Sequence, residues 1–289
     1  MGSAKARLAL ALVSAAIFWL LNWILPGLRT HLLFFPLWLG YVLSVDAIVQ
    51  LRARTSLLSR NPRAYAMLFV ASTPAWWVFE ALNHRLQNWE YLGRAHFSDL
   101  TYFLLASLSF ATVIPAVFGT AELIRTSQWI ERTRNGPRLQ LSNGACLLSG
   151  LAALTALLIW PRFFFPLAWL SLWLMMDPLN ARLGRPCLLE DLRSGDWRAV
   201  VSLALGCLMC GFFWELWNFY SYPKWVYHIP FVGYFHVFEM PLLGYGGYLF
   251  FGPELFAMYQ LFAAALPERL SVHSSLDARA QLVFLERQS

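Results

Sequence analysis

The sequence predicts an all-α, polytopic membrane protein with about eight transmembrane helices in two tandem four-helix repeats. Three observations carry this. First, the 289 residues are 58% hydrophobic and only 13% charged, about half the charge of a typical soluble domain. Second, apolar runs near 20 residues recur along the whole length, and about 20 residues is what a helix needs to cross a bilayer. Third, the second half repeats the first. FFPLWLGYVLSVD, ending at Asp46, matches FFPLAWLSLWLMMD, ending at Asp177. WWVFEALN, ending at Asn83, matches FFWELWN, ending at Asn218. A Trp-x-Tyr follows each: Trp89 and Tyr91, then Trp225 and Tyr227. Finally, FGTAEL around Glu122 matches FGPEL around Glu254. Four matches in one order at near-constant spacing indicate an internal duplication.

The spans fall at 7–26, 32–51, 65–84, 98–124, 141–160, 163–181, 197–220 and 231–265. The first is preceded by Lys5 and Arg7, as a signal peptide would be. It continues through IFWLLNWILPG without a small-residue cleavage site, and its counterpart in the second repeat is internal, so both are read as retained helices. The last span is too long for one straight crossing. It holds Pro241, Gly244, Gly246, Gly247 and Pro253, so a broken or tilted helix is expected. The repeats are assigned to residues 1–135 and 136–266, with a cytoplasmic tail at 267–289.

The net charge of +6 reflects orientation and gives no sign of nucleic-acid binding. With the N-terminus inside, only Arg29, Arg85, Arg94, Arg162 and Lys224 of the 22 basic residues lie in outer loops. This positive-inside pattern needs an even number of spans and places both termini in the cytoplasm, most simply at a cell inner membrane. A four-span repeat keeps its orientation, so the halves should be related by rotation about the membrane normal.

Seven carboxylates fall inside these spans: Asp46, Glu80, Glu122, Asp177, Glu215, Glu239 and Glu254. A charge at that depth costs about 2.5–3.5 kcal/mol on insertion scales, so such groups mark function or helix-to-helix bonding. Glu80 shares a helix face with Asn83, and Glu215 with Asn218, at i and i+3. With His236 and Glu239 they form an expected outer cluster, lined by Trp77, Trp214 and Tyr227. Asp46, Asp177, Glu122 and Glu254 form an inner set. The segment HVFEMPLLGYGGY, His236 to Tyr248, has no acidic counterpart in the first repeat and marks the half expected to carry chemistry. Glu239 is assigned as the acid, Glu215 as its conjugate partner, Glu80 as a further carboxylate and His236 as the proton exchanger. Asn83, Asn218, Trp77, Trp214 and Tyr227 are assigned to substrate binding.

Cys207 and Cys210 form a C-x-x-C in mid-span and read as small packing residues. There is no H-E-x-x-H, no paired His boxes, no P-loop and no Gly-rich dinucleotide loop, so no metal and no cofactor is expected. The chain has 14 Trp, 23 Phe and 11 Tyr. An acid among aromatic faces can protonate an alkene, and the π faces stabilise the resulting cation.

The second repeat runs Glu215, Trp225-Val-Tyr227, Gly233, then Glu239-Met-Pro241. This stretch resembles small polytopic carotenoid-pathway proteins, the membrane lycopene cyclases and the related carotenoid hydratases. The resemblance implies internally duplicated helical units, an isoprenoid or polyene substrate, and Glu239 and Glu215 at the acidic positions.

Three functions therefore remain open. The first is an integral membrane enzyme acting on a lipophilic substrate by carboxylate acid–base chemistry, such as isomerisation, cyclisation or hydration. The second is a membrane binding or assembly protein whose polar residues hold helices together. The third is a proton- or ion-coupled transporter using the inner set. The partners expected in each case are the lipid bilayer and lipophilic small molecules.

Overall fold

The computed structural model describes residues 2–272. The expected tail lies mostly outside the described residues. The described chain is helical almost throughout. Its first half comprises α1 (Gly2–Ile24), α2 (Thr30–Ala53), α3 (Leu57–Arg60), α4 (Pro62–Leu86), α5 (Asp99–Phe110) and α6 (Val113–Arg125). Its second half comprises α7 (Asn143–Ile159), α8 (Pro161–Phe164), α9 (Ser171–Arg182), α10 (Leu188–Ser194), α11 (Arg198–Phe219) and α12 (Gly246–Ala264). Strands β1 (Trp89–Leu92), β2 (Lys224–Tyr227), β3 (His236–Val237) and β4 (Met240–Pro241) form two small antiparallel ladders.

Local sequence sets the helix ends. Asn61 caps α4 by accepting from the Arg63 and Ala64 amides, with Pro62 at the first helical position. Ser98 and Ser142 cap α5 and α7 in the same way. Ser56 and Ser59 form a reciprocal capping box on α3.

Among the described residues, four segments are long and apolar enough to cross a bilayer: Gly2–Ile24, Thr30–Ala53, Asp99–Arg125 and Arg198–Phe219. Helix α7 is apolar but shorter. Three expected spans are not single helices, and residues 98–124 divide into α5 and α6 at Ala111 and Thr112. Residues 163–181 break into α8, a 3-10 segment Phe165–Trp169 that Pro166 opens, and α9, whereas Pro36 at the matching position leaves α2 continuous. In 231–265, only Gly246 onward is α-helical, and the part before it is a loop carrying β3 and β4.

Large apolar side chains face outward along the long helices, among them Leu10, Ile17, Leu104, Leu148 and Phe250. Soluble monomers rarely expose contiguous apolar surface of this extent, and the belt is compatible with an integral membrane protein.

The centre of the bundle is built by α2, α6, α11 and α12, where Trp38, Phe118, Leu203, Leu255 and Tyr259 are fully or almost fully buried. Close backbone approach sets this packing. A Cβ on Gly252 of α12 would overlap the Leu203 carbonyl oxygen of α11. Small residues at such crossings let helices dock by van der Waals contact. Gly252→Ala is accordingly expected to destabilise the protein by about 1–3 kcal/mol, read as a lowered melting temperature in detergent. An unchanged melting temperature would mean that the crossing is looser than it stands here.

Candidate functional site

Two sets of polar groups are built by matching residues of the two halves. In the first set, Asp46 on α2 accepts from the Ser56 hydroxyl at 2.9 Å and the Leu58 amide at 3.0 Å, at the start of α3. Asp177 on α9 accepts from the Leu189 amide at 2.7 Å, the Leu188 amide at 3.2 Å and the Cys187 thiol at 3.3 Å, at the start of α10. Each carboxylate thus caps the short helix that follows its own helix. Asp46 also pairs with Arg7 at 2.9 Å. Burial, then the neighbouring Asp177 carboxylate, push the Cys187 thiol up to about 12.

In the second set, Asn83 donates to the Trp89 carbonyl at 2.8 Å and accepts from the Asn88 amide at 2.9 Å. Asn218 donates to the Trp225 carbonyl at 2.7 Å and accepts from the Trp225 amide at 3.0 Å. Both asparagines fix the start of the following strand. The strands then pair with each other: Trp89 lies opposite Tyr227, and Tyr91 opposite Trp225.

Fixing these strands aims two tyrosines at two glutamates. The Tyr91 hydroxyl donates to Glu80 Oε1 at 2.6 Å, and the Tyr227 hydroxyl donates to Glu215 Oε1, also at 2.6 Å. Glu80 Oε1 also accepts from the indoles of Trp76 at 3.0 Å and Trp89 at 3.2 Å. Glu215 Oε1 accepts from a second phenol, Tyr248 of α12, at 2.8 Å. Tyr248 reaches it because position 211 is glycine; a Cβ there would overlap the Tyr248 ring. Burial, then the adjacent glutamate, push the Tyr91 and Tyr227 phenols well above their ordinary range, so both keep their protons.

Trp76, Trp89, Tyr91, Tyr227 and Tyr248 all line one cavity of about 180 Å³, together with Phe34, Phe110, Trp169, Trp214, Trp225 and Phe251. Neither Glu80 nor Glu215 faces the cavity directly. They stand behind the aromatic wall and are reached through its hydroxyl and indole groups. Glu215 is fully buried, and among the described residues its Oε2 has no hydrogen-bond partner.

The other expected site residues are placed differently. Trp214 and Tyr227 line the cavity, whereas Trp77 turns to α5, stacking on Phe103 and donating to the Ser107 hydroxyl at 2.9 Å. His236 is exposed in β3. Glu239 forms an ion pair with Lys224, which lines the cavity rim. Among the described residues, three of the seven carboxylates have a basic partner. Lys224 neutralises Glu239, Arg7 reaches Asp46, and Arg60 pairs with Glu122. Long basic side chains near span ends fold back to meet acids that sequence depth alone leaves isolated. Glu254 takes another solution, accepting from the Leu172 amide at 3.0 Å and the Trp173 amide at 3.3 Å, at the start of α9 where the helix is broken.

Sequence reasoning did not foresee Tyr248 as a carboxylate partner. The available signal was a tyrosine beside Gly246-Gly247 in the one segment without a counterpart in the first repeat. Among the described residues, no three His, Cys, Asp or Glu side chains gather as a metal-ion site. Comparison with protein-family models, with curated proteins and with solved structures finds no match.

Proposed function

We propose that this chain is an integral membrane enzyme that acts on a lipophilic substrate, of isoprenoid or polyene type, by acid–base chemistry. The observation that carries the reading is the pair of buried glutamates whose phenol partners form the wall of an aromatic cavity. Tyr227 and Tyr248 would pass a proton between the substrate and Glu215, with the Oε2 oxygen free to hold it. Isomerisation, cyclisation or hydration of an alkene each need such a proton, and aromatic faces favour the cationic intermediate. Glu80, held by three donors, would serve as the quieter counterpart.

In this reading the chain crosses the inner membrane eight times: α1, α2, α4, α5–α6, α7, α8–α9, α11 and α12. Both termini are cytoplasmic, and the crossings form two four-helix repeats. Support comes from the β1–β2 ladder. It joins segments separated by four of these crossings, which must then lie on one side of the bilayer. It also pairs the two matching segments antiparallel, with Trp89 opposite Tyr227 and Tyr91 opposite Trp225, as a two-fold axis normal to the membrane would. The assembly reading is favoured for Asp46, Asp177, Asn83 and Asn218, each of which binds the backbone of the segment that follows its own helix.

The test is a comparison of membrane lipid extracts by mass spectrometry, with and without the gene. One lipophilic species should appear or vanish. Tyr248→Phe keeps the ring packed on Trp214 but removes the hydroxyl, and should reduce that change about tenfold or more. If no species differs while the protein is present and folded, the enzyme reading fails.

A further inference from the structure

The loop between β2 and α12, residues 228–245, has two unlike sides. Its inner side contributes Met240 and Gly244 to the cavity wall. Its outer side presents Phe231, Tyr234, Phe235, Leu242 and Leu243, all exposed, with Phe235 at 81%. From Phe231 to Phe238 the sequence is FVGYFHVF, with no acid and no Lys or Arg. Three phenylalanines, Phe231, Phe235 and Phe238, adopt left-handed backbone with φ of 64°, 55° and 59°. Bulky side chains rarely take this conformation, so the loop holds its aromatic groups outward against local preference.

The loop is attached lightly. The His228 amide donates to the Asn88 carbonyl at 2.8 Å at its base. Lys224 clasps Glu239, the His228 ring meets Glu90 of β1 at 3.0 Å, and Phe163 stacks on Phe231, while the bond from the Tyr245 hydroxyl to the Val237 carbonyl, 3.1 Å, is internal to the loop. Phe238 leans on Phe212 and Phe219 of α11. Phe212, Leu249 and Phe250, exposed on α11 and α12, continue the apolar surface from the loop onto the outward belt of the bundle. Arg162 sits over the Phe231 ring, 5.4 Å from its centroid, and supplies a cation at the loop's margin.

We infer that the outer side of residues 228–245 is sunk in the acyl chains of the adjacent leaflet, and that this loop is the movable wall through which ligand passes from lipid into the cavity. The inference rests on the membrane-embedded reading above and adds the route and the source of the ligand. The continuity with the apolar belt and the lack of charge favour acyl chains over headgroups or a soluble partner. The Lys224–Glu239 pair is the clasp, since it ties the strand on the fixed side to the loop.

The experiment uses the full chain in phosphatidylcholine vesicles. The four native cysteines are buried, so Phe235→Cys provides a selective thiol for an environment-sensitive fluorophore. Lipids brominated on their acyl chains should quench the label several-fold more than aqueous iodide does. Dominant quenching by iodide would overturn the inference. The second arm follows uptake of diphenylhexatriene from the vesicle, read as energy transfer from the cavity tryptophans. Glu239→Gln, which opens the clasp, should speed uptake about tenfold, and an unchanged rate would overturn the role as a wall. Neither arm needs turnover. A protein that passes both but alters no lipid would defeat the enzyme reading and leave this inference standing.

Discussion

Glu215→Gln is expected to remove roughly 10²–10⁴-fold of the lipid conversion while leaving the bundle folded. The reasoning separates the two roles of the side chain. Its Oε1 accepts from Tyr227 and Tyr248, and a glutamine retains that acceptor, so the two phenols keep their partner. What is lost is the capacity of Oε2, which has no partner among the described residues, to take up and release a proton. The product species in lipid extracts should fall to background, with a melting temperature within about 2 °C of the parent, the scale of a change under 1 kcal/mol in a chain of this size. Glu80→Gln is the comparison. Three donors converge on one oxygen that glutamine also supplies, so its conversion should fall less. Equal loss in both variants would mean that the two halves act as one unit. Full conversion in Glu215→Gln would remove the carboxylate from the chemistry altogether.

Asp177→Ala is expected to have the largest effect on stability. The side chain is completely buried and satisfies the Leu188 and Leu189 amides and the Cys187 thiol. Removing it leaves three buried donors without an acceptor at the start of α10, each costing about 1–3 kcal/mol. With each donor at the lower part of that range, the total loss is about 3–5 kcal/mol, near the upper end for single substitutions. Thermal unfolding in detergent should show a drop of roughly 10 °C. Asp177→Asn keeps one acceptor oxygen and should lose less than half as much. A drop below about 2 °C for the alanine variant would show that water replaces the carboxylate readily, and that α10 is not held from α9.

The repeated motifs carried most of what was legible in the sequence. Asp46 and Asp177, Asn83 and Asn218, and the two Trp-x-Tyr segments were visible as matching pairs, and each pair makes matching bonds. Periodicity gives the depth of a residue in a span but not its neighbours. For that reason the partners of the carboxylates were hidden. Arg60 lies 62 residues before Glu122, and Tyr248 lies 33 after Glu215. Residues 231–245 read as part of a span because their apolar composition is that of a helix. Their departure from α-helix follows from Pro230 and Pro241, with only a 3-10 turn at Leu242–Tyr245 before α12. The same composition reads His236 as a helix residue inside a span, whereas in the structure it is exposed in β3.

The ladder between β1 and β2 also sets the order of assembly. Trp89 finds its partner only when Tyr227 has been synthesised. At about 5–20 residues per second, the first strand therefore waits on the order of ten seconds with an unsatisfied edge. During that time Tyr91 has Glu80 beside it, but the cavity has only half of its wall. The nascent first half must be inserted without its final shape, and the last part of the chain to be made closes it. A chain truncated before β2 would carry an open edge suited to joining the same edge of a second copy, so early termination should yield paired half-proteins in the membrane rather than lone ones.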